Sequence, residues 1–127
     1  MKKIAIIYGF ISWIVAITLI LMSHNSNPYI FNILLDLILT VLALIIGINY
    51  LKGFNSNYLN EAAVLSVFIF VINVCLDQIY YNMVGLPMNI IEYMLNVGFI
   101  YLLYPIIICT LGFLFDNIDT IIKNIPE

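Results

Sequence analysis

Two stretches of otherwise apolar sequence carry the same local pattern, Asn32-x-x-Leu35-Asp36 and Asn73-x-x-Leu76-Asp77. In each, an amide and a carboxyl stand four residues apart, which puts them on one face of a helix. A carboxyl in apolar surroundings can take up a proton, hold a desolvated cation, or hydrogen-bond a neighbouring helix. If the two segments run antiparallel at about 1.5 Å per residue, Asn32 falls level with Asp77, and Asp36 with Asn73. The expectation is a reciprocal clasp, with Asn32 bonding Asp77 and Asn73 bonding Asp36. Two acids that close, with no basic residue beside them, are expected to share a proton unless water or a cation intervenes. Structural glue is the plainer role for the same cluster, since hydrogen bonds between membrane helices contribute about 0.6 kcal/mol on average.

The elements that must hold these residues follow from composition. The chain has 127 residues, 65% hydrophobic and 9% charged, with a mean hydropathy of +1.14. A soluble domain would carry about a quarter charged residues, so lipid is the solvent this chain is built for. Four segments are long enough to cross a hydrocarbon core of about 30 Å: residues 4–22, 29–51, 61–81 and 90–115. The first exceeds the apolar region of a secretion signal, about 7–15 residues, and lacks an A-x-A-like cleavage site, so it reads as a retained span. Asn27-Pro28 has the chemistry of a helix start, residues 52–57 and 85–89 read as turns, and Asn89-x-x-Glu92 has capping-box spacing. The expected fold is an all-α, up-down-up-down four-helix transmembrane bundle forming a single domain. Ile118, Ile121, Ile122 and Ile125 mark residues 116–127 as a short amphipathic helix on the membrane face, capped by Asp116.

Orientation is read from the four basic residues, Lys2, Lys3, Lys52 and Lys123, which all fall on one side of such a bundle. The positive-inside rule makes that side, with both termini, cytoplasmic in a plasma membrane. Tyr50 and Tyr58 would then form the inner aromatic belt, and Tyr29, Tyr80, Tyr81 and Tyr93 the outer one. Glu92 serves the capping box and can add a third carboxylate at the outer mouth, beside Asp77. Glu61 suits a helix N-terminus. Tyr8, Ser12, Thr18, Thr40, Gly47, Ser66, Asn96, Tyr101, Tyr104 and Thr110 read as packing residues of span interfaces, and Pro105 as a kink that frees the Tyr101 carbonyl.

Several functions are disfavoured. Arg is absent and no basic stripe exists to neutralise phosphates, so nucleic acid is not an expected partner. Cys75 and Cys109 have no metal or redox spacing, His24 has no second ligand nearby, and no nucleophile, phosphate-loop or dinucleotide motif occurs. No enzyme activity, cofactor or metal is expected. The second half of the chain resembles small four-span membrane proteins of bacteria and archaea that carry no assigned function. That resemblance rests on Glu61, Asn73, Leu76-Asp77, Tyr93, and Tyr101-Leu102 before Pro105, and it implies fold and membrane location alone. Four spans enclose little interior, so any conduction path would form between copies. The leading expectation is a non-enzymatic subunit, scaffold or homo-oligomer; the other is a small proton- or cation-coupled transporter built on Asp36 and Asp77.

Overall fold

The computed structural model describes residues 2–22, 28–85, 89–96 and 98–125, and every described element is helical. The expectations for His24, Asn27 and Pro87, and for the side chains of Tyr29 and Asn96, lie outside the described residues. The elements are α1 (Lys2–Met22), α2 (Pro28–Leu51), α3 (Tyr58–Met83), α4 (Ile90–Asn96), a 3-10 segment (Gly98–Leu102) and α5 (Leu103–Lys123). Four stretches are long and apolar enough to cross a membrane: Lys3–Met22, Ile30–Leu51, Tyr58–Met83 and Gly98–Lys123. Their outward faces carry large apolar side chains, with Ile7, Ile33, Val67 and Ile106 all more than half exposed. Such a surface belongs in lipid, where it loses nothing by exposure.

Small residues set the closest contacts. Ala5, Gly9, Ser12 and Ala16 make a buried row along α1, which lets it lie close against α3. On α3 the buried row is Ala62, Leu65, Ser66, Ile69, Asn73 and Asp77. The Cβ that Gly9 lacks would fall 2.7 Å from Ile72 Cδ1, and Ser12 and Trp13 reach Asn73 and Asp77. The α1–α3 pairing therefore keeps one sense along the chain. The α3–α5 pairing has the opposite sense: Tyr58 meets Asp116, Ser66 meets Cys109, and Asp77 meets Tyr101. Helix α2 packs chiefly on α5, where Gly47 lies against Leu111 and Ile108, and only slightly on α3.

The fourth span differs from the expected continuous helix. It is interrupted after α4, passes through the 3-10 segment, and resumes as α5 with Pro105 in its first turn. There the ring replaces an N–H that would have no intrahelical partner, so no kink within α5 is needed. The separate terminal helix is also corrected, because α5 runs unbroken past Asp116 to Lys123. Asp116 instead serves α3. Its two carboxylate oxygens accept the backbone N–H of Tyr58 at 3.2 Å and of Leu59 at 3.0 Å. Asn57, the residue before α3, adopts a left-handed φ of 56° and makes no side-chain cap, so α5 supplies across the bundle what the local sequence does not. Asp116→Ala should cost about 1–2 kcal/mol of stability, with exchange protection lost first at the amides of Tyr58 and Leu59. Unchanged protection there would refute the cross-helix cap.

Candidate functional site

The polar side chains of the spans do gather, but with other partners than the spacing implied. Asp77 is 1% exposed. Its Oδ1 accepts the indole N–H of Trp13 at 2.8 Å, and its Oδ2 accepts the Tyr93 hydroxyl at 2.6 Å. Tyr101, also buried, interacts with the same carboxyl. One turn away along α3, the fully buried Asn73 donates through Nδ2 to Ser12 Oγ at 2.8 Å and to the Ile69 carbonyl at 2.7 Å. Ser12 in turn donates to the Gly9 carbonyl. Elements α1, α3, α4 and the 3-10 segment thus meet around one acid and one amide.

Two buried polar atoms remain without a hydrogen-bond partner at this centre, Asn73 Oδ1 and the Tyr104 hydroxyl. Both belong to side chains beside Ser12, Asn73 through its bond and Tyr104 by an approach that falls outside bonding geometry. One is an acceptor and the other can donate. The hydroxyls elsewhere in the spans close on their own helices: Thr18, Thr40 and Thr110 bond carbonyls four residues back, and Ser66 one three residues back.

The expected clasp is not what these side chains form. Asn32 and Asp36 are exposed on α2, while Asn73 and Asp77 bond Ser12, Trp13 and Tyr93 instead. Tyr101 takes the position that the clasp required, since it touches Asp77 and also lines the groove that holds Asn32 and Asp36. Tyr101 of the 3-10 segment therefore belongs both to the Asp77 centre and to the groove of Asp36. Glu92 is corrected in part. The Asn89 side chain accepts the Glu92 backbone N–H at 2.8 Å, as a cap should, while the Glu92 side chain is exposed and the adjacent Tyr93 is the residue that reaches Asp77. Tyr93 is therefore buried among the helices. So is Tyr50, which is 5% exposed and partnered with Glu61.

No family, curated protein or solved structure matches the chain. Four residues that carry the sequence resemblance, Asn73, Asp77, Tyr93 and Tyr101, are nonetheless among those that converge here.

Sequence reasoning missed Trp13. Its signal was present, because an indole N–H in the middle of an apolar helix needs an acceptor when buried. The spans offer few acceptors beyond Asp36, Asp77 and their asparagines. Asp77 and Asp36 come out as chemical opposites. The first is buried and holds one neutral donor on each carboxylate oxygen, from two different helices. The second is open.

Proposed function

We propose that the protein is a non-enzymatic, multi-pass plasma-membrane protein acting as an assembly subunit, scaffold or homo-oligomer. Its four spans run up-down-up-down with Lys2, Lys3, Lys52 and Lys123 on the cytoplasmic side. The observation that carries this reading is the closed state of Asp77, with both carboxylate oxygens occupied by donors from α1 and α4. An intramembrane acid is ordinarily the first candidate for transport chemistry. One tied into the core in this way instead makes a rigid unit whose remaining resource is its exterior. That exterior leaves Asp36 and Asn32 uncovered within a span, which favours a neighbour over lipid alone, because a charged side chain inside a span is costly, by up to about 3 kcal/mol at its middle on insertion scales.

The other reading, a proton- or cation-coupled transporter using paired aspartates, loses the pairing it was built on. The test is mass. After mild-detergent extraction from native membrane, light scattering corrected for detergent should give a multiple of the 14.5 kDa protomer or a stable heteromeric complex. A lone protomer, with no crosslinked species formed beforehand in the membrane, would sink the proposal.

A further inference from the structure

The groove beside Asp36 carries an inference that does not depend on the assembly reading. It has a volume of about 410 Å³ and lies between α1, α2, Tyr81 of α3 and the α4–3-10 stretch. Asp36 and Asn32 line it, four residues apart on α2, and four aromatic residues complete it: Phe31, Tyr81, Phe99 and Tyr101. A second groove of about 370 Å³ shares Asp36, Phe99 and Ile100, so Asp36 lines both. Among the described residues no basic side chain pairs with Asp36; the described ion pair, Lys123 with Asp119, lies at the end of α5.

We propose that this groove binds a lipophilic organic cation, with Asp36 as its counter-ion. Three properties of the site select that class. The single carboxylate calls for one positive charge. The aromatic rings attract cations through their faces, an interaction of about 0.5–2 kcal/mol per ring. The volume falls in the range of small-molecule sites, about 300–1,000 Å³, and most of the lining is apolar, which suits an apolar body around the charge. A bare divalent cation is poorly served, since calcium takes about six to eight oxygens and magnesium about six. A monovalent onium group needs no such cage. Asn32 offers its amide oxygen as a second, neutral acceptor and orients the charged end. The same chemistry is available from a free solute or from the ammonium headgroup of a lipid.

The test uses the full chain in maltoside micelles, which contain no amine, with tetraphenylphosphonium as the probe in equilibrium binding. Saturable binding near one probe per chain is expected. Asp36→Asn should weaken it at least tenfold, and Phe99→Ala about fivefold, equivalent to about 1 kcal/mol. Glu92→Gln should leave binding unchanged. Added phosphatidylethanolamine separates the two sources: displacement of the probe assigns the groove to a lipid headgroup, and no displacement assigns it to a free solute. Absence of saturable binding, or equal binding by wild type and Asp36→Asn, overturns the proposal. Should Asp36→Asn fail to fold, Phe99→Ala decides, because undiminished affinity in that variant also overturns it. A chain that runs as a single protomer and still binds the probe would refute the assembly reading while leaving this site standing.

Discussion

Asp77→Leu is expected to destabilise the bundle by about 2–4 kcal/mol, while Asp36→Leu leaves stability unchanged or raises it. Leucine is close to aspartate in length and branches at Cγ, so the change at position 77 opens little space. What it removes is the acceptor for the Trp13 indole and the Tyr93 hydroxyl, now 2.8 and 2.6 Å from the carboxylate. A buried donor left without a partner costs about 1–3 kcal/mol, more than a hydrogen bond contributes in net terms when made. The modest average of about 0.6 kcal/mol for membrane hydrogen bonds reflects unfolded helices that find other partners. Trp13 and Tyr93 are held by packing in the folded state and, among the described residues, donate to no acceptor but Asp77, so the larger cost should prevail. Asp77→Asn keeps one acceptor oxygen and should lose only about 1 kcal/mol. Trp13 is the one tryptophan of the chain, so its emission reports on this bond directly. Denaturant titration in mixed micelles would show the Leu variant unfolding earlier, with its Trp13 spectrum already altered in the folded baseline. Equal stability with an unaltered spectrum would remove Asp77 from the core network.

The contrast between the two acids also shows what a sequence of this kind discloses. The four apolar helices were legible because spanning a bilayer constrains length and composition together. Helix faces were legible in part: Ser12, Asn73, Asp77, Tyr101 and Tyr104 are buried, whereas Asn32, Asp36, Thr18 and Thr110, read as facing other helices, are exposed. Partnership was not legible. Residues 52–57 are short enough to reverse the chain, and Tyr50 does meet Glu61 near that turn. A short turn does not decide which helix flanks α3 further along, and there α1 and α5 take the places that the clasp assigned to α2. The choice depends on packing small residues of α1 and α5 against α3, a property of three helices at once.

The interruption of the fourth span had a similar origin. Pro105 marked a disturbance, but its position relative to the helix start could not be read without the 3-10 segment before it. That segment is also what brings Tyr101 to Asp77 while Tyr93 arrives from α4. Gly98 permits the turn, since a Cβ there would lie 2.7 Å from both Met94 Sδ and Tyr93 Cε1. The break and the buried acid are thus one feature, with two tyrosines reaching one carboxylate from either side of the interruption.

The second large effect is expected at Gly112, where α5 lies close against α3. A Cβ built there would lie 2.6 Å from Ala62 Cβ, 2.9 Å from the Tyr58 carbonyl oxygen and 3.0 Å from Leu59 Cα. Two of those three atoms are backbone and cannot rotate away. At Gly47 the one close neighbour is Leu111 Cδ1 at 2.7 Å, the tip of a flexible side chain, and the next atom is 3.5 Å away. Both substitutions to Ala gain the same helix propensity, about 1 kcal/mol. The gain should win at Gly47, leaving that variant neutral or more stable. At Gly112 overpacking of about 1–3 kcal/mol opposes it, and the shift of α3 needed to relieve it also pulls Tyr58 and Leu59 from Asp116, whose cap is worth about 1 kcal/mol more. Gly112→Ala should therefore lose roughly 1–3 kcal/mol, the net of those terms, and Gly112→Val more. Adding Ala62→Gly removes one of the three contacts but leaves the Tyr58 carbonyl, so a double-mutant cycle should show partial rescue. Full rescue would place the clash in the side chain alone, and no rescue combined with a neutral Gly112→Ala would mean that α3 and α5 lie further apart than this packing requires.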